Sequence, residues 1–149
     1  MITSDYTGVS FEVETSFDLT TLQGVYDHVA TALLKQGRKA MNGTACRYLT
    51  DRGDRCAAGH LMPAPSSVLL SLRGGIVSWD SPASAYLDKR IPRTPAFADL
   101  IQDLQITHDL ISTTDWLPEW KRYMLQVAAR HELDPVIIVD AIGAQRVAA

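Results

Sequence analysis

Three steps of a capping residue followed by proline fix where helices can begin in the second half of this chain. They are Ser81-Pro82, Thr94-Pro95 and Asp134-Pro135. A Ser, Thr or Asp side chain accepts a hydrogen bond from a free N–H of the first helical turn, and proline fits that turn because it has no N–H to lose. We therefore expect each step to open a helical turn.

Apolar residues at helical spacing support these starts. Behind Thr94, the residues Phe97, Leu100, Ile101 and Leu104 share one helix face. A further helix is predicted to begin at Pro118 and a last one after Asp134-Pro135. Earlier in the chain the same spacing predicts a helix over residues 20–36, with Gly37 as its C-terminal cap.

The remaining segments favour extended structure. Residues 9–17, VSFEVETSF, alternate apolar and polar residues, as a half-buried strand does. The cysteine segment is interpreted as a hairpin around Arg52-Gly53. VLLSL and GIVSW are interpreted as short strands joined through Gly74-Gly75, although VLLSL could equally be a helical turn. The resulting prediction is one α+β domain over 1–149, with four to five helices packed on a small antiparallel sheet. Its parts are an N-terminal strand (1–19), a helix (20–37), a cysteine hairpin (45–61), an irregular segment with short strands (62–93) and helices (94–146).

Composition and charge narrow the classes of function. A net charge of −3 and a pI near 5.7 argue against a dedicated nucleic-acid binder, which is usually basic. No apolar run reaches the roughly 18–20 residues of a membrane span. The first residues lack the basic and apolar regions of a signal peptide, so we expect a cytoplasmic protein whose two cysteines stay reduced.

The positive charge is concentrated in one stretch. Residues 35–55 carry six Lys or Arg against two Asp, whereas the rest of the chain is acidic. Such a basic region could steer an acidic partner or contact nucleic acid, and it could equally be the solvated face of a hairpin. The candidate binding residues are Arg38, Lys39, Arg47, Arg52 and Arg55.

Cys46, Cys56 and His60 are candidate ligands for zinc or another divalent metal. Their C-x₉-C-x₃-H spacing is not a standard zinc pattern. In a hairpin with a three-residue loop, Cys46 and Cys56 lie four residues apart along the strand, roughly 13 Å at about 3.3 Å per residue. That separation also excludes a disulfide, which needs α-carbons within about 7 Å. We therefore expect buried thiols without a cofactor; a nucleophilic cysteine with His60 as its base is the alternative.

The His108-Asp109 pair suggests a second possible activity. Metal-dependent phosphohydrolases of the HD type bind divalent ions through such a pair together with further His and Asp residues. The same dipeptide also fits a buried histidine whose ring nitrogens are satisfied by carbonyls or by Asp109.

Three segments of the chain resemble small proteins encoded in tailed phages and prophages: TLQGVYDHVATALLKQGRKAM, CRYLTDRGDRCAAGHLMP and LQITHD. That group shows a C-x-Y-R…G…C-A-x-G-[C/H]-L segment between two helices. Leu49 stands where the pattern has arginine. The resemblance covers residues 21–62 and 97–131 and carries no catalytic residue across. It implies a phage or prophage context. Together with the basic stretch at 35–55 and the weak evidence for catalysis, it favours a non-enzymatic protein that binds and modulates a host protein, of which blocking a host defence is one example. The partner and the oligomeric state are left open.

Overall fold

The computed structural model describes residues 17–42, 45–72, 78–112 and 114–148. These residues form five α-helices, with long connections on either side of α2 and short ones between α3, α4 and α5. They are α1 (Leu22–Gln36), α2 (Ser66–Ser71), α3 (Pro95–Leu110), α4 (Trp116–Arg130) and α5 (Val136–Ala148).

The helix predicted over residues 20–36 is present as α1, which begins two residues later than predicted, and its predicted end at Gly37 is confirmed. The Thr21 side chain accepts the Gly24 N–H at 2.9 Å, which caps the first turn. Gly37 ends the helix in the left-handed region at φ 76°, and its N–H donates to the Leu33 carbonyl at 2.8 Å. A glycine is favoured there because the left-handed region costs it no Cβ clash.

The cap-and-proline steps also mark real starts. Thr94 is the N-cap of α3, which begins at Pro95, and α5 follows directly after Pro135. Ser81-Pro82 opens a 3₁₀ turn over Pro82–Tyr86. The helix predicted to begin at Pro118 starts two residues earlier, at Trp116.

The predicted α+β fold is wrong, because the chain is helical. Within the described residues, strand pairing is limited to two residues on each side, Met41–Asn42 with Ala45–Cys46, and to an isolated Leu49–Arg55 bridge. Neither is large enough to form a layer on which helices could pack.

The cysteine segment and VLLSL, both interpreted as extended, do not form the predicted sheet. Around Arg52-Gly53 the extended pairing stops at the Leu49–Arg55 bridge, and the chain then enters a 3₁₀ turn over Ala58–Leu61. VLLSL belongs to α2, the helical alternative. Nearly all of the predicted N-terminal strand, and most of GIVSW, lie outside the described residues.

Helix α1 lies at the centre of the apolar core. It packs against α3, α4 and α5, and α3 packs against α4. Its inward face, with Val25, Tyr26 and Val29, has no exposed surface. The Tyr26 hydroxyl donates to the Met124 carbonyl of α4 at 2.8 Å, so its one polar group is satisfied inside the core.

Candidate functional site

The cysteine segment is a buried turn. Cys56 is 1% exposed, and its Sγ accepts the Gly59 N–H at 3.3 Å. Ala57 and Ala58 are also buried. A Cβ on Gly59 would lie 2.1 Å from the Tyr48 carbonyl oxygen, so a larger residue does not fit without displacing main chain. The C-A-A-G spacing therefore reflects close packing.

The Gln36 side chain, at the end of α1, makes four hydrogen bonds, three of them to this turn. Its Oε1 accepts from the Arg55 N–H at 2.8 Å and from His60 Nε2 at 3.0 Å. Its Nε2 donates to the carbonyls of Arg38 and Arg55 at 2.8 and 2.9 Å. From α3, Gln105 Oε1 accepts the N–H of the first residue of the 3₁₀ turn at 2.9 Å. Two helices thus fix the turn in place.

Two neutral histidines complete the packing of the turn. His60 Nε2 donates to Gln36 Oε1, and burial, assisted by the nearby Arg55, lowers the pKa of His60 to about 3. His28 Nε2 donates to the His60 carbonyl at 2.9 Å, and burial lowers the pKa of His28 as well. Both rings therefore act as neutral hydrogen-bond donors.

Cys56 does not have the environment of a nucleophile. Burial raises the pKa of its thiol to about 12. The nearby Arg55 guanidinium is directed to the carbonyls of Gly59 and Met62, at 3.0 and 3.2 Å. A thiol in this environment stays protonated at neutral pH, whereas a reactive cysteine needs thiolate character.

Of the predicted ligands in the cysteine segment, Cys56 and His60 lie on one buried turn, and the side chain of Cys46 lies outside the described part of the chain. The Cys46 main chain pairs with Met41. Within the described ranges, no three His, Cys, Asp or Glu side chains are placed to hold one ion.

Both ring nitrogens of His108 are used in structural hydrogen bonds. Its Nε2 accepts the Ala40 N–H at 3.1 Å, so that nitrogen carries no proton. Its Nδ1 therefore carries the proton and donates to Asp109 Oδ1 at 2.7 Å, which also accepts from Gln105 Nε2 at 2.9 Å. His108 has no exposed surface, and the Trp116 ring meets it edge-on. This bonding leaves no ring lone pair for an ion, which opposes the phosphohydrolase hypothesis.

Two of the five predicted cations, Arg55 and Lys39, are partly buried and donate to main-chain carbonyls. Arg55 bonds the carbonyls of its own turn. Lys39 Nζ donates to two main-chain carbonyls at the C-terminal end of α3, those of Asp109 at 2.7 Å and Ile111 at 2.9 Å. A cation is favourable there because the free carbonyls of a helix end carry partial negative charge.

The other three cations lie at or near the surface. Arg38 Nε pairs with the buried carboxylate of Asp54 at 2.7 Å while about half of its side chain, 49%, stays exposed. Arg52 is exposed in the same loop, and Arg47 is half-buried. The Arg47 N–H donates to the Ala40 carbonyl at 3.3 Å, which places it beside the 38–41 segment.

A cleft of about 270 Å³ opens beside Arg38 and Lys39, where α3 ends and α4 begins. Its lining combines two cations, three apolar side chains and two hydroxyls. The residues are Arg38, Lys39, Met41, Ile111, Ser112, Thr114 and Trp116. The charge pattern predicted the two cations; the other five residues were not predicted, because their shared location depends on how distant segments pack.

No protein-family model, curated protein or solved structure matches this chain. No helix in the described part of the chain has the length and apolar character to cross a membrane.

Proposed function

We propose that this chain is a non-enzymatic binding protein that contacts a protein partner through a basic surface formed by Arg38, Arg47 and Arg52. The observation that carries the proposal is a contrast between the candidate catalytic side chains and the surface cations. The chemically reactive candidates are tied into structural hydrogen bonds, whereas these cations lie on or near the surface. Arginine at a surface suits protein recognition, since its planar fork of donors matches carboxylates.

The loop that carries Arg52 is braced by hydrogen bonds. The Thr50 N–H donates to the Asp54 carbonyl at 2.9 Å, and the Asp54 N–H donates to Thr50 Oγ1 at 3.1 Å. Gly53 takes the left-handed conformation at φ 88° inside this loop. Arg38 then bonds the Asp54 carboxylate from outside. A preorganised loop loses less entropy on binding, which favours affinity.

The partner we propose is an acidic protein of a bacterial host. The excess of Lys and Arg over Asp in residues 35–55 supports a partner of negative charge. The resemblance to phage-encoded proteins supports a host origin for that partner, and with it action in the host cytoplasm. The overall charge of −3 makes nucleic acid the weaker alternative.

The test compares partner capture by two charge-reversed variants. Arg52→Glu reverses an exposed charge of the basic surface, and Lys89→Glu makes the same charge change at an exposed site outside it. Each purified chain is incubated with bacterial lysate, bound proteins are quantified by mass spectrometry, and the Kd of the leading partner is measured by calorimetry. We expect Arg52→Glu to raise that Kd about tenfold and Lys89→Glu to change it less than about twofold.

Equal partner recovery by all three chains would contradict the basic surface. Binding of nucleic acid in place of protein would be recognised by its steep loss with salt, with a slope set by the number of phosphates neutralised.

A further inference from the structure

The cleft at the end of α3 has a chemistry distinct from that of the rest of the surface. The chain leaves α3 at Ile111 and enters α4 at Trp116, and residues 38–41 form the opposite wall. At about 270 Å³ it is smaller than the roughly 300–1,000 Å³ pockets that enclose a drug-sized ligand. A cavity of this size suits one or two side chains of a larger partner.

Two cations on its wall retain hydrogen-bonding capacity. A lysine ammonium has three donors, and Lys39 directs Nζ to two carbonyls. An arginine has five N–H donors, and Arg38 uses the one on Nε for Asp54. Neither side chain makes a further hydrogen bond within residues 17–42, 45–72, 78–112 and 114–148. The bonds already made fix both cations in position while donors remain for an incoming anion.

The rest of the lining is apolar, with two hydroxyls. Met41, Ile111 and Trp116 supply the apolar part. An inorganic anion would gain nothing from such surfaces, whereas an acidic residue beside an apolar one would use both.

We infer that this cleft binds a carboxylate and an adjacent apolar side chain from an acidic segment of the partner protein. The carboxylate lies between Arg38 and Lys39, and the apolar side chain packs on Met41, Ile111 and Trp116. The inference rests on the proposed function and specifies the site and the chemistry that it recognises. Charge complementarity selects the anion, and the apolar lining selects a peptide over a phosphate backbone.

A random peptide library is selected against the wild-type chain to test the inference. We expect the recovered peptides to be enriched in Asp or Glu next to Leu, Ile or Phe. The Kd of the best peptide is then measured by calorimetry together with that of its Asn/Gln counterpart. The amide version should bind at least about tenfold more weakly, because it loses the charge-assisted hydrogen bonds.

Filling the cleft locates the binding site. Thr114→Trp places an indole at an exposed cleft position, and Thr31→Trp adds the same indole to the exposed face of α1 as a matched control. We expect Thr114→Trp to raise the Kd of the selected peptide at least about tenfold and Thr31→Trp to leave it unchanged. Thermal unfolding verifies that both variants are folded.

Three outcomes would overturn the inference: no peptide recovered, no acidic enrichment, or equal binding by Thr114→Trp. If Thr114→Trp captures the host partner to the same extent as wild type while Arg52→Glu does not, the cleft is not the binding site and the proposed function stands. If an oligo-dT probe, and no peptide, binds in a Thr114→Trp-sensitive way, the cleft contacts nucleic acid and the inference again fails.

Discussion

The buried turn around Cys56 and the cleft beside Trp116 both lie where the chain passes between helices. They use polar side chains in opposite ways. In the turn, Gln36 makes four hydrogen bonds to the protein itself, and two histidines are kept neutral by burial. In the cleft, Arg38 and Lys39 are anchored but retain donors. Residues that look reactive in a sequence can therefore serve the fold.

The largest effect that this comparison predicts is at Gly59. Gly59→Ala places a Cβ 2.1 Å from the Tyr48 carbonyl oxygen, so the main chain must move. We expect a loss of about 3 kcal/mol or more in the free energy of unfolding, measured by urea denaturation. Gly143→Ala is the control, since a Cβ there meets nothing within 4 Å, and we expect it to stabilise α5 by up to about 1 kcal/mol. Equal stability of the two variants would show that the turn is not tightly packed.

Removing the Gln36 amide is expected to lower the free energy of unfolding by less than Gly59→Ala does. Gln36→Met keeps the length of the side chain but leaves two main-chain groups of Arg55 and the Nε2–H of His60 without their partner. A loss of about 2–3 kcal/mol follows from unsatisfied polar groups, again measured by urea denaturation. Gln126→Met, at an exposed position of α4, should change stability by less than about 0.5 kcal/mol. A loss no larger than that of the control would contradict the role of Gln36.

The neutral histidines predict a fold that is weakened by acid. His60 titrates at a pKa of about 3 in the folded chain and near 6.5 when unfolded, so the unfolded chain binds more protons between these values. Stability is therefore fully present above pH 6.5 and falls as the pH decreases, by up to about 1.4 kcal/mol per pH unit for this group. The pH dependence of the unfolding free energy should be shallower in His60→Gln. Identical profiles would mean that His60 is not buried and neutral.

The cleft should show the smallest effect on stability. Thr114 is exposed, so Thr114→Trp should change the free energy of unfolding by less than about 0.5 kcal/mol although it fills the cleft. Urea denaturation of this variant and wild type side by side provides the measurement. A loss comparable to that of Gly59→Ala would place Thr114 in the packed interior and remove the distinction between the two regions.

The parts of the fold that the sequence predicts are those determined locally. The apolar spacing of α1 and α3, the Gly37 cap and the Thr94-Pro95 start all act within a few residues of chain. The hairpin over 45–61 fails because Gly59 serves a close approach to Tyr48, a contact that no periodicity reveals. The small residues Ala57, Ala58 and Gly59 favour a tight turn that packs between helices, rather than an extended strand.

The candidate site was predictable only in part, for the same reason. Charge density indicated Arg38 and Lys39, but it did not reveal that Lys39 lies against the end of α3. Arg55 was expected at the surface and instead bonds carbonyls inside its turn. The cleft forms where residues 38–41 meet Ile111, Ser112, Thr114 and Trp116. Residues so far apart in the chain leave no local sequence pattern that predicts their contact.

The stacked pair of tryptophans gives this chain a built-in optical signal. Trp116 lies on the cleft wall, and its ring is parallel to that of the buried Trp120 within 15°, with centroids 5.3 Å apart. A guest entering beside Trp116 would change the polarity around one indole of a coupled pair. Emission and near-ultraviolet dichroism should then report occupancy of the cleft on the unmodified protein, without any attached dye.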